Sequence, residues 1–248
     1  MQRIAGFLVL FFAIATSNAD EQTEQKVREA MDSDVRNAAE TARDRNRRPV
    51  ETLAFFGLKD DMRVLELLPG GGWYTKLLAP VLREDGKLFV SIGTNGVKER
   101  LLTQPGFDRV EVLEIDASIE RDGPFRTNSI GSFDFGVKNL DLVLTFRNMH
   151  NFTPAGRANI NAAAFKALRS GGHYGVVDHS RRHMEPMTAE NRRRADAVEI
   201  IKEALEAGFE FAGFSDLHYR PDDELRYEVG RKSVTGNTDR FTLLFEKP

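Results

Sequence analysis

Along this chain, short apolar runs alternate with stretches whose apolar residues recur every three or four positions. Residues 63–67 read as a buried strand, and residues 73–82 as a helix carried by Leu77, Leu78, Val81 and Leu82. A second strand falls at 87–92, a short helix at 97–102 and a third strand at 110–115. Residues 118–138 hold no period and read as a long loop, and a fourth strand covers 141–146. The next helix is punctuated at its start, with Thr153 as N-cap and Pro154 as first helical residue. Ile160, Ala164, Phe165 and Leu168 give its buried stripe, and Gly171-Gly172 are expected to stop it. A fifth strand at 173–177 precedes a helix at 189–207, which Gly208 ends. Two last strands, 210–217 and 241–245, flank a charged irregular loop and suggest an antiparallel hairpin at one edge. Strands alternating with helices imply an α/β fold with a mostly parallel sheet covered on both faces.

The N-terminal part differs. Arg3 precedes an apolar stretch from Ile4 to Ala15, and Ser17-Asn18-Ala19 offers small residues before the polar Asp20-Glu21. That order predicts a secretory signal peptide over residues 1–19, cleaved after Ala19, with a periplasmic or secreted product and no stable membrane anchor afterwards. An uncleaved anchor is the competing reading, although the apolar run is short for a bilayer. Residues 20–57 are charged with helix-like spacing, and Pro49 marks a boundary and can open a short helix that Gly57 caps. Residues 58–248 then form the main domain. The chain has 248 residues and a net charge of -3, which does not favour nucleic acid as a partner. There is no cysteine, so disulfide and thiolate chemistry are excluded.

The turn after the first strand carries the chemistry. Val64-Leu65-Glu66-Leu67-Leu68-Pro69-Gly70-Gly71-Gly72-Trp73-Tyr74-Thr75 joins a buried strand to a helix through bare backbone, with a carboxylate just before the bend. A dinucleotide fingerprint would have glycine where Thr75 stands and an acid ending the second strand, so a nicotinamide or flavin dinucleotide is disfavoured. A glycine-rich turn without a ligand is the plainer reading. Arg147-Asn148-Met149-His150-Asn151 follows the fourth strand, at the end where open α/β sheets place ligands. His150 could take a proton and Arg147 could hold a carboxylate, or the group could simply pin the next helix. Asp178-His179 ends the fifth strand on the same rim, as substrate contacts or as ordinary polar termination. Arg192-Arg193-Arg194 reads as the solvated start of a helix. The histidines, at 150, 173, 179, 183 and 218, form no HExxH spacing, so no metal is assigned.

Glu66 to Thr75, followed by Leu78-Ala79-Pro80, resembles the first motif of class I S-adenosylmethionine (SAM)-dependent methyltransferases, and in particular a family of predicted exported bacterial methyltransferases. Arg43-Asp44 with Arg48-Pro49, residues 141–148 with His150, Gly171-Gly172 with Asp178-His179, and Thr238-Asp239-Arg240-Phe241 extend the likeness over nearly all of residues 20–248. The resemblance implies a Rossmann-like, seven-stranded sheet in a three-layer sandwich, with an antiparallel last strand. It implies SAM as cofactor and methyl transfer to an oxygen or nitrogen of a small molecule, with no nucleic acid partner. By position, Glu66 would lie near the methionine ammonium. Pro69, Gly70, Gly71, Gly72, Tyr74 and Thr75 would surround the methionine and ribose. Asp116 would face the adenine, and Asn148 would border the sulfonium beside Arg147 and His150. Thr94 stands in the region where the family has an acid for the ribose. The same features suit a binding protein of this fold without turnover.

Overall fold

The computed structural model describes residues 8–248, with side chains from residue 20 onward. The first seven residues of the expected leader lie outside the described residues. The backbone from Leu8 belongs to helix α1 (Leu8–Met31), and among the described residues no helix is long and apolar enough to cross a membrane. Three short helices follow: α2 (Ala38–Thr41), α3 (Asp44–Arg47) and α4 (Pro49–Phe55). Then come β1 (Arg63–Leu67), α5 (Thr75–Val81), β2 (Lys87–Ser91), α6 (Asn95–Arg100) and β3 (Glu111–Leu113). The expected long loop contains a small two-stranded ribbon, β4 (Ile119–Glu120) with β5 (Ser129–Ile130). The chain continues through β6 (Leu140–Phe146), α7 (Pro154–Ala167), β7 (Leu168–Arg181), β8 (Ala195–Asp196), α8 (Ala197–Glu206), β9 (Glu210–Ser215) and β10 (Arg240–Glu246).

The main sheet runs β3-β2-β1-β6-β7-β10-β9, with β8 paired to β7. β1 is parallel to both β2 and β6, and β7 continues the parallel set. Only β10 opposes its neighbours, entering between β7 and the edge strand β9. This is a Rossmann-like arrangement, a mostly parallel sheet with one antiparallel strand near its edge. The strand order reverses between β1 and β6, so a crevice opens beyond their carboxyl ends.

Side chains alternate across β1, and the alternation builds two cores. Leu65 and Leu67 face α7 and α8 with Val143, Ile160, Ala164, Ile200 and Phe209. Val64 faces the other layer with Leu53, Leu77, Leu78, Val97 and, from α1, Val27 and Ala30. Glu66 shares the face of Val64, which sends its carboxylate under the start of α5.

The start of α7 matches its punctuation: Thr153 accepts from the Gly156 amide at 3.2 Å, and Pro154 is the first helical residue. Its end differs. The helix stops at Ala167 and Leu168 is already extended, so Gly171-Gly172 lie inside β7, where the Gly171 amide reaches the Lys247 carbonyl at 2.7 Å. The helix expected from 189 begins only at Ala197, because Asp196 caps it through the Val198 amide at 2.9 Å. The arginine run before it is not a solvated helix start. Arg194 is fully buried and holds Asp223 with two bonds of 2.9 Å, and Arg193 pairs with Glu228.

Candidate functional site

The tips of β1, β2 and β6 are level: Leu67 pairs with Ser91 and with Thr145. Each strand leaves through a non-glycine residue at positive φ, Leu68 at 51°, Ile92 at 61° and Arg147 at 65°. All three are non-glycine residues in the left-handed region, Ile92 being β-branched as well, and three such exits at one rim fit the habit of storing strain at working sites. The Leu68 amide reaches the Ser91 carbonyl at 2.9 Å, and the Arg147 amide the Val177 carbonyl at 2.6 Å. The exits at Leu68 and Arg147 are thus held by neighbouring strands.

Two glycines of the turn do different work. At Gly72 a Cβ would meet Leu101 Cδ1 at 2.3 Å, so this glycine lets α6 close on the turn. At Gly70, with φ of 56°, a Cβ would meet nothing within 4 Å, so its backbone borders open space. That space is a cleft of about 210 Å³ lined by Glu66, Pro69, Gly70, Gly71, Tyr74, Phe146, Arg147 and Asn148, together with Glu40 of α2, Arg47 of α3 and Arg43 just before α3.

Glu66 is buried, and its Oε2 accepts from the Thr75 hydroxyl at 2.6 Å. Burial lifts its carboxyl from an ordinary 4.5 to about 7, against the smaller pulls of the Thr75 hydroxyl and the Arg47 charge. Arg47 is only 4 % exposed, yet among the described residues its guanidinium has no carboxylate and no hydrogen-bond partner and opens on the cleft. It lies over Trp73 at 4.2 Å from the ring centroid. Its position is fixed through its carbonyl, which receives the Thr52 hydroxyl at 2.9 Å and faces His218 Nε2 at 3.0 Å. Arg48, left-handed at φ 41°, precedes Pro49 and turns the chain from α3 into α4.

Asn148 spans the two tips. Its amide donates toward the Leu67 and Leu68 carbonyls at 3.4 and 3.3 Å, tying the end of β6 to the glycine turn. Beyond it, His150 is held by Asp178. The His150 backbone amide donates to Asp178 Oδ2 at 2.9 Å, and ring Nδ1 lies 2.5 Å from Oδ1. With Nδ1–H donating to the Asp178 carboxylate, Nε2 is left as an acceptor. His179 turns away from Asp178 and meets the Thr238 hydroxyl at 3.0 Å. Burial, with Arg240, His150 and Arg147 nearby, keeps His179 well below the usual histidine range and therefore neutral.

The sequence-derived residues therefore fall into groups. Glu66, Pro69, Gly70, Gly71, Tyr74, Asn148 and Arg147 meet at one cleft, and His150 stands just past it. Thr75 and Gly72 lie behind the turn rather than in the cleft. Thr94 is buried before α6, Asp116 is exposed, and neither lines the cleft. At the end of β2, the Ser91 hydroxyl donates to the Leu113 carbonyl at 2.7 Å, so it is spent inside the sheet. Arg47 and Glu40 are additions that the sequence reading missed. The arginine-rich stretch before Pro49 was a trace of Arg47, and nothing in the sequence marked Glu40.

No family model matches the sequence, and no curated protein matches it. Solved structures do share the fold. A SAM-dependent methyltransferase from Aquifex aeolicus superposes with a TM-score of 0.56 at 16% identity, over 90% of this chain and 97% of that one. The glycopeptide N-methyltransferase MtfA complexed with sinefungin gives 0.53 at 15% identity, over 80% and 91%. The same enzyme complexed with S-adenosyl-L-homocysteine gives 0.52 at 13%, over 80% and 86%. At these identities the likeness is one of fold.

Proposed function

We propose that this chain is a class I SAM-dependent methyltransferase that methylates an oxygen or nitrogen of a small acceptor. One observation carries the reading: a buried acid, Glu66, and a buried guanidinium without a partner, Arg47, face one cleft beside the open backbone of Gly70. That donor set fits the ammonium and carboxylate of an amino acid, which is one end of SAM. Arg43, exposed on the same wall, would add a second guanidinium. Gly93, with φ of 64° and nothing within 4 Å of a Cβ, leaves further room beyond β2 for the nucleoside end.

When bound, the cofactor supplies a methyl carbon made electrophilic by a positive sulfur. The protein's own share is positioning and proton handling. Glu66 and Arg47 orient the amino-acid end, and Asn148 keeps the β1 and β6 tips together beneath it. His150, oriented by Asp178, takes a proton from the acceptor through Nε2. The fold shared with solved methyltransferases supports this reading.

A second reading, binding of a polar metabolite without turnover, is favoured by the end of β2, which offers no acid for a ribose. Calorimetric titration of SAM and S-adenosylhomocysteine into the full chain tests the first. Micromolar binding is expected, and Gly70→Leu should abolish it by filling the open face. Absence of binding for both ligands at millimolar concentration overturns it. If both bind, single-turnover transfer from labelled SAM separates enzyme from binder. We also propose export by a leader at residues 1–19. A protein recovered from the cell envelope should then begin at Asp20, and one still beginning at Met1 refutes cleavage.

A further inference from the structure

We propose that a second chamber, behind the arginine wall of the cleft, binds a small polyanion through its carboxylate or phosphate groups. We propose further that this anion is the methyl acceptor, a step that rests on the methyltransferase reading. The chamber measures about 440 Å³, within the ordinary range of small-ligand sites. Arg43, Arg47 and Arg147 line both it and the cleft, so the two spaces share one wall. Arg240, Arg193 (paired with Glu228) and the imidazoles of His150 and His179 complete the chamber's polar lining, and no carboxylate is among its residues. Gly230, Thr235 and Gly236, from the loop between β9 and β10, form its outer rim.

The nearby acids are already engaged. Asp178 serves His150 and the His179 amide, at 2.9 and 2.7 Å from their backbone nitrogens. Asp239 accepts from the Arg220 amide at 2.8 Å, and Glu228 is paired with Arg193. Among the described residues, the guanidiniums of Arg47 (buried), Arg147 (half-buried) and Arg43 (exposed) have neither a hydrogen-bond acceptor nor a carboxylate within bonding distance. Arg240 bonds only the Asn46 carbonyl, at 2.9 Å, and its Nε is buried and unbonded. Buried charge left unpaired is costly. Stacking on Trp73 accounts for Arg47, and the Asn46 carbonyl takes one nitrogen of Arg240, but the half-buried Arg147 has neither kind of contact and Arg240 Nε is left over. Burial and mutual repulsion push Arg47 down to about 9 and Arg240 to about 10. An anion bridging the guanidiniums relieves both penalties, and His150 then faces whatever that anion carries.

The test uses the full chain at low ionic strength, with pyrophosphate and citrate as separate probes and chloride as the control. Trp73, the sole tryptophan, lies beneath Arg47 and reports occupancy by fluorescence, and calorimetry gives the affinity. At least one probe should saturate below millimolar concentration, and which one does so distinguishes phosphate from carboxylate recognition. Arg240→Gln should weaken it at least tenfold and leave S-adenosylhomocysteine binding unchanged. Glu66→Gln should do the reverse. If Arg240→Gln does not fold, Arg147→Gln, which removes an unpaired guanidinium of the shared wall, reads the loss of anion binding. Binding of neither probe beyond chloride, or an arginine variant that binds like the parent, overturns the anion site. Pyrophosphate or citrate binding without any S-adenosylhomocysteine binding keeps the anion site and removes the acceptor assignment.

Discussion

Glu66→Gln isolates the energetic consequence of burying an acid under the glycine turn. In the parent, burial lifts the carboxyl from 4.5 to about 7, so the folded state keeps its proton to higher pH than the unfolded state does. A group raised in this way stabilises at low pH, and that contribution is lost as pH rises through the folded value. The shift corresponds to about 3 kcal/mol in full, of which roughly 2.5 kcal/mol is lost between about pH 5 and pH 8. Glutamine does not titrate, so this dependence vanishes in the variant. Its oxygen still accepts from Thr75, but its new amide hydrogens lack a partner and cost about 1–2 kcal/mol at all pH. The variant should therefore be somewhat less stable than the parent at about pH 5 and more stable, by about 1–2 kcal/mol, at about pH 8. Urea unfolding of both proteins at the two pH values measures the difference, and titrations elsewhere in the chain cancel in the comparison. A parent-minus-variant difference that stays flat across this range refutes the argument: Glu66 would then ionise freely in the fold.

Three further outcomes follow from other contacts. Asp178→Asn turns one of the two carboxylate oxygens into a donor, leaving one acceptor for the His150 amide, the His150 ring and the His179 amide, so the ring proton should redistribute between Nδ1 and Nε2. Nitrogen NMR of the histidines reads that change, and an unaltered His150 tautomer would separate Asp178 from it. Asp223→Ala strands Arg194, both side chains being almost completely buried, and should cost about 3–5 kcal/mol in chemical denaturation. Arg147→Gln removes a charge that burial and neighbouring arginines oppose. It should raise the melting temperature of the ligand-free chain, by about 2–4 °C per kcal/mol recovered, where a structural arginine would lower it.

The strands, the order of elements and the glycine turn were legible because apolar period and turn chemistry are local. Glu66, Gly70 and Asn148 belonged to that local grammar, being fixed by the ends of β1 and β6. Arg47 was not legible. Its guanidinium is held in place through its carbonyl, by Thr52 and by His218, which lies 171 positions away. Runs of charge are ordinarily solvated, and nothing near residue 47 in the sequence announces a buried one. The same limit explains Arg194, whose partner Asp223 lies in the loop after β9. The pairing of Asp178 was hidden by alternation. Consecutive residues of a strand face opposite ways, so Asp178 turns from His179 toward the end of β6, where His150 waits. The left-handed exits at Leu68, Ile92 and Arg147 have no sequence mark, since none is glycine.

The N-terminal segment makes the cleft respond to its ligand. Asn37 and Glu40 form a reciprocal cap on α2, and Glu40 also holds Lys76 at 2.8 Å while its carbonyl receives Trp73 Nε1 at 3.0 Å. The segment that delivers Arg47 is thereby fastened to the helix that follows the glycine turn, and Glu66 sits beneath both. An ammonium arriving in this cleft meets a carboxyl that titrates at about 7 and favours its ionised form. Binding should then expel the proton. At about pH 6 roughly nine-tenths of a proton per ligand should be released, falling to about one-tenth at pH 8. Calorimetry of S-adenosylhomocysteine in buffers of different ionisation heat measures that number directly. Binding with no proton release at the lower pH would mean that the ligand's amino group lies elsewhere, and Glu66 would revert to a residue that only braces Thr75.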